Sequence, residues 1–304
     1  MSSSVIILGA KGRFGRAAQR AFLEAGWDVT AFGRNWSAPA LAGVTQVSGD
    51  AFDSGALIAA CVGHDVIVNA LNPPYTQWAK ALPALTRNVI KAAQASGATV
   101  MIPGNVYTYG QNMPPVLSED TGQHPTCRKG KLRMTMEERF AAANDVRTII
   151  LRAGDFIEAE QTGNWFDSQI TNKVAKGSIM YPGPTDLPHA WAYLPDMARA
   201  MVGLAEKRDS LAKFETFGFA GYTLTGEELI ASIQQLVGRT LKRGKMPWFA
   251  LALMQPFSAL MREVYEMRYL WQTAHGIDGT KLQNTLPDWE PTPLDDCLKK
   301  VVAL

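Results

Sequence analysis

The sequence predicts an α/β chain built on a doubly wound parallel sheet, with a small, mostly helical lobe at the carboxyl end. Three observations carry that class. Short apolar runs alternate with longer segments of helical period, a glycine triplet separates the first run from the first helix, and the alternation stops after about residue 154.

VIILG (5–9) is the first strand. The following RFGRAAQRAFLEAGW sets Phe14, Ala17, Ala18, Ala21 and Phe22 on one helical face and stops at Gly26. Further strands are expected at 28–34, 44–50, 64–71, 98–104 and 146–154. WAKALPALTRNVIKAAQASG and LRMTMEERFAAAN supply helices between the last three. Residues 163–196 read as a helix, a short strand and a Pro- and Gly-rich turn, with Asp196 expected to cap the helix that follows. From Tyr222 the pattern is helical. LTGEEL starts a helix at Thr225, with Glu228 completing a capping box, and a last short helix opens near Pro293. The expected division is a doubly wound domain of 1–154 plus about 188–220, and a smaller lobe of about 155–187 plus 221–304.

Composition narrows the function. Of 304 residues, 47% are hydrophobic and 19% charged, which excludes a mainly disordered chain. The net charge of +2 gives no electrostatic case for nucleic acid or for an anionic membrane. The longest uncharged stretch, Met246 to Met261, falls short of a membrane span and contains Pro256, so it reads as a buried helix pair or a contact surface. Cys61, Cys127 and Cys297 are odd in number and far apart, which argues against disulfides and zinc. The amino terminus has no secretory pattern, so a reducing cytoplasm is expected. The partner expected is a small-molecule substrate, and the low charged fraction leaves room for a homodimer.

Chemistry begins at GAKGRFG. Gly9, Gly12 and Gly15 follow a strand and open a helix, the context in which glycines admit a pyrophosphate to a helix amino terminus. Arg34 stands at the end of the second strand, with no Asp or Glu from Val29 to Asn35, and Lys11 and Arg13 add cations in the loop. An acid there would bind the ribose 2′-hydroxyl of NAD; an arginine suits the 2′-phosphate of NADP, so NADP is expected over NAD.

With these residues in hand, 5–205 resembles the extended and atypical branches of the short-chain dehydrogenase/reductase superfamily, which include sugar epimerases and dehydratases, and so implies a Rossmann fold. GDAFD (49–53) is similar to the family segment whose Asp, here Asp50, with Ala51 beside it, meets the adenine. VIVNAL, ending in Asn69, Ala70 and Leu71, is similar to the strand end beneath the adenine ribose. Phe14 belongs to the same cofactor set, and Asn88 matches a structural Asn. NVYTYG, SED, RAGDF and YLPDMARAM complete the landmarks.

The departure is catalytic. Members usually carry Ser or Thr after the fifth strand and a YxxxK element that moves the substrate proton. Aligning YGxSKxxxE on KGKLRMTME puts Lys129 at the Tyr, Arg133 at the Lys and Glu137 at the Glu, with Asn105 at the Ser. The resemblance then implies Lys129 as proton donor or carbonyl contact, as in isoflavone-reductase-like enzymes, its pKa lowered by Arg128, Lys131 and Arg133. Lys129 would also touch the cofactor, Asn105 the substrate oxygen, and Arg133 the cofactor ribose or an acidic substrate group. Tyr107 is a further candidate, whereas Tyr109 is read as core. The opposing reading makes RKGKLR a solvated helix start in a non-catalytic NADP-binding regulator, like the NmrA-like redox sensors. His189, without a local acidic partner, and Asp155 read as structural. The Met and aromatic side chains from Met246 to Trp271 read as core or as pocket or interface lining.

Overall fold

The computed structural model describes residues 2–37, 39–160 and 162–302. Its strands are β1 Ser4–Leu8, β2 Asp28–Gly33, β3 Val44–Ser48, β4 Val66–Asn69, β5 Thr99–Asn105, β6 Val116–Leu117, β7 Thr148–Ala153, β8 Asp155–Ile157, β9 Ser178–Tyr181, β10 Pro188–Tyr193, β11 Phe214–Gly218, β12 Tyr222–Thr225, β13 Lys242–Lys245 and β14 Gly276–Ile277. The helices are α1 Arg13–Glu24, α2 Ser54–Cys61, α3 Trp78–Ser96, α4 Arg128–Ala142, α5 Leu194–Glu206, α6 Gly226–Val237, α7 Trp248–Met254, α8 Ala259–Glu266, α9 Thr280–Thr285 and α10 Leu294–Val301.

Seven strands form one sheet in the order β11-β7-β5-β4-β1-β2-β3, every pairing parallel. Alternation along β1 explains the layering. Val5 and Ile7 join the core with Phe14, Phe22 and Met201 of α1 and α5, while Ile6 and Leu8 face Leu57, Val89 and Phe140 of α2, α3 and α4. A third core gathers Ile157, Phe166, Tyr181, Trp191, Ile230 and Trp271 around a second sheet, β12-β10-β8, and two-strand ladders join β13 to β9 and β14 to β6.

The predicted strands all form, within two residues at either end. α2 has no counterpart in the sequence reading: it is only eight residues long, and Asp53 starts it by accepting from the Gly55 and Ala56 amides. α4 begins at Arg128, one turn earlier than its apolar spacing suggests, because the Cys127 sulfur caps the Gly130 amide. The capping box of α6 is present, and Asn88 donates to the Ala51 and Phe52 carbonyls. Asp196 corrects the expectation. α5 already starts at Leu194, so Asp196 lies inside its first turn, where it accepts from the Thr292 amide and hydroxyl and from Arg199.

Candidate cofactor and catalytic site

β1 lies between β2 and β4, so the strand order reverses there and opens a crevice at the carboxyl ends of the strands. Gly9 occupies it with φ +73°, and a methyl on it would come within 2.5 Å of the Ala70 carbonyl oxygen. The Gly12 amide donates to Gly9 O at 2.9 Å. A side chain on Gly15 would also run into Gly9 O. Phe14 and Gly15 are buried at the start of α1. Gly12 caps α1 without a side chain, so the first-turn N–H groups keep no side-chain acceptor. At the end of β4, Asn69 is buried and its Oδ1 has no partner among the described residues; Ala70 is also buried and Leu71 partly so. A free helix end and an orphaned acceptor beside a glycine turn fit a pyrophosphate and a ribose.

The cations divide. Arg34 leaves β2 well exposed, its guanidinium 3.6 Å from Asp50. Asp50 is held by the Phe52 amide, with Ala51 buried beside it. Lys11 donates to the Arg34 and Asn35 carbonyls at 2.7 and 3.1 Å and lies 5.8 Å from the Trp36 ring centre, so it ties the glycine loop to the β2 exit. Arg13 instead donates to Thr162 and pairs with Glu158, while Arg16 and Arg20 pair with Glu160. These pairs fasten the chain after β8 across the first turns of α1.

Lys129 is 1% exposed, bound to the Glu263 and Glu266 carboxylates and the Glu263 carbonyl, with its ammonium 5.2 Å from the Tyr75 ring centre. Two carboxylates of α8, not the cations of RKGKLR, are its immediate neighbours, and the helix start is not solvated at this residue. Arg133 is buried against Trp78 at 4.8 Å, and its Nε has no partner among the described residues. Asn105 accepts from the Tyr107 amide at 3.0 Å, which starts the turn after β5. The Tyr107 hydroxyl meets that of Tyr75 at 3.1 Å. Burial first, then Tyr75 and Asp155, pushes its pKa well above the usual phenol range, so it stays protonated and able to donate. Tyr109 packs in the core, as its sequence position suggests.

Three sets of contacts escaped the sequence reading. Tyr75 and Trp78, beyond β4, pack against Tyr107, Lys129 and Arg133. Glu137 holds Arg152 through two contacts, at 3.1 and 2.7 Å, and Arg152 donates onward to the Asn105 carbonyl at 2.7 Å, fixing the turn after β5. His189 does have an acidic partner: Asp155 at 2.9 Å, brought to it because β10 runs beside β8. Its ring stacks on Trp271 at 4.3 Å, with His275 4.6 Å away. The alternation that locates strands says nothing about this pairing across 34 residues. Among the described residues no group of metal-binding side chains occurs and no helix is long and apolar enough to cross a membrane.

A parallel sheet whose order reverses at a glycine turn, with an uncapped helix end behind it, defines a dinucleotide-binding α/β protein. The chain belongs to the NAD(P)H-binding family, whose model matches residues 9–179. None of the curated proteins matches it. Solved structures share the fold across nearly the whole chain. A Burkholderia cenocepacia J2315 protein with a provisional epimerase assignment is 20% identical at TM-score 0.78, over 99% of this chain and 97% of that one. The UDP-Glc/GlcNAc 4-epimerase of Campylobacter jejuni is 17% identical at 0.74, over 99% and 98%. The UDP-glucose 4-epimerase of Brucella ovis, in complex with NAD, is 15% identical at 0.75, over 99% and 98%. The superfamily resemblance read from the sequence therefore holds at the level of fold.

Proposed function

We propose that the protein is an NADP-dependent hydride-transfer enzyme, an oxidoreductase or epimerase/dehydratase-like, acting on a small carbonyl or sugar-type substrate. The observation that carries the cofactor is Arg34, exposed at the β2 exit beside the glycine turn, where a 2′-phosphate needs a cation. When bound, the nicotinamide supplies or accepts the hydride. The chain's part is to seat the phosphates on the α1 amides, receive the ribose at Asn69, and move one proton. Tyr107, a phenol kept neutral by burial and hydrogen-bonded to Tyr75, suits hydrogen-bond donation to a substrate oxygen, and Lys129 becomes available to that oxygen as proton donor once α8 releases it. The cofactor domain would comprise 1–154 and about 188–220, with 155–187 and 221–304 enclosing the substrate. Three buried free thiols, Cys61, Cys127 and Cys297, suit work in a reducing cytoplasm.

One observation favours the second reading, a non-catalytic NADP(H)-binding regulator: Lys129 is neutralised by two carboxylates beneath α8. NADPH and NADH titrations followed by a carbonyl screen separate these readings. Preference for NADPH that Arg34→Ala abolishes supports the cofactor choice. NADPH oxidation that falls at least about tenfold in Tyr107→Phe or Lys129→Ala supports catalysis. Tight NADPH binding with no oxidation by any carbonyl tested favours the regulator, and failure to bind either dinucleotide refutes both.

A further inference from the structure

α7, the turn at Pro256 and α8 form a hairpin whose two faces differ. The inner face is engaged: Leu251 is buried, Trp248 packs against Trp165 and donates to the Pro182 carbonyl at 2.6 Å, and Glu263 and Glu266 hold Lys129. The outer face is apolar and bare. Phe257 is 90% exposed, Phe249 78%, Leu253 60%, Leu260 52% and Met254 51%. These are five of the nine most exposed large apolar side chains among the described residues, gathered within twelve positions of sequence. Single exposed leucines are ordinary on protein surfaces; a cluster that includes two phenylalanines is not.

Charge identifies what covers this face. From Arg239 to Arg262 the chain contains no acid, and Arg239, Lys242, Arg243, Lys245 and Arg262 are all exposed. Of these, Arg243 is paired, with Glu227, and Arg239 caps the Val174 and Ala175 carbonyls. The hairpin's own acids, Glu263 and Glu266, are spent on Lys129. An apolar tip bordered in sequence by cations is what an anionic lipid surface accepts: rings and aliphatic chains enter the acyl boundary while ammonium groups meet the headgroups. A second copy fits less well, since a twofold contact through this face would set one cationic segment near its duplicate.

We infer that the hairpin of residues 248–266 docks the protein peripherally on an anionic membrane surface, with Phe249, Leu253 and Phe257 inserted and Arg262, together with Lys242 and Lys245 of the preceding strand, at the phosphates. This inference does not rest on the cofactor assignment. The chain's net charge of +2 gave no such indication, because it averages this segment with acids elsewhere.

Sedimentation of the full-length protein with vesicles of phosphatidylcholine alone, or of phosphatidylcholine with phosphatidylglycerol, tests it. Binding to the anionic vesicles is expected, weakening as salt rises. Phe257→Asp should lower it at least about tenfold and Lys242→Glu/Lys245→Glu by a similar factor. Both variants should keep the wild-type circular dichroism and dinucleotide binding. In Phe257→Trp, brominated lipid should quench the additional fluorescence. Equal binding to both vesicle types, or none to either, overturns the inference. So does a dimer in solution that Phe257→Asp dissociates without any lipid binding, which would assign the face to a second copy.

Discussion

His275 makes the protein acid-sensitive in a way that can be isolated. It is 1% exposed, and its Nδ1 donates to the Thr273 carbonyl at 2.8 Å. Its Nε2 has no partner among the described residues, and His189 lies 4.6 Å away. Burial, then the neighbouring His189, lowers its pKa from 6.5 to about 3. Between those values the unfolded chain binds a proton that the folded protein refuses. The contribution to stability is therefore complete above pH 6.5 and is lost as pH falls towards 3. At about 1.4 kcal/mol per pH unit, going from pH 7.5 to pH 5 costs roughly 2 kcal/mol, and the whole window roughly 5 kcal/mol. Urea denaturation at a series of pH values measures this. His275→Asn is the comparison, because its amide can still donate to Thr273 but does not titrate. The variant should lose about 2 kcal/mol of the pH dependence between 7.5 and 5. Identical pH slopes for the two proteins would refute the reasoning.

Three other substitutions test the frame of the site. Glu137→Gln leaves the Arg152 guanidinium buried without its counter-charge, and chemical denaturation should register a loss of about 3–5 kcal/mol; a loss below about 1 kcal/mol would mean that Arg152 finds another partner. Gly9→Ala meets the Ala70 carbonyl at 2.5 Å from a left-handed backbone. It should lower stability by at least about 1–2 kcal/mol and weaken NADPH binding in titration, and a neutral result on both would show that the turn can relax. Thr225→Ala removes one half of the α6 capping box and should cost about 1 kcal/mol in the same denaturation assay with dinucleotide affinity unchanged.

Local chemistry made the cofactor half legible. VIILG followed by GAKGRFG fixes a strand, a turn and a helix within eleven residues, and the position of Arg34 follows from strand length alone. Distance in sequence hid the rest. Lys129 could be aligned to a catalytic position, but its ion pairs come from α8, 134 and 137 residues later, and no periodicity in either segment announces them. His189 seemed partnerless because Asp155 reaches it only through the β8–β10 pairing. The stripe from Met246 to Trp271 divides: Met267, Tyr269 and Trp271 are core, whereas Phe249, Met254 and Phe257 face outward. Composition could not distinguish them, since Met and aromatic residues serve both settings.

The pairing of Lys129 with Glu266 also has a temporal side. A ribosome adding about 5–20 residues per second leaves α4 waiting roughly 7–30 s for its counter-ions. For about half of that interval β7 is an open edge, because β7 is complete at residue 153 and β11 joins the sheet only after residue 218 has been made. The nascent amino-terminal portion thus carries an unpaired lysine and an uncovered strand at the same moment, and that is the stage at which chaperone contact would protect it most.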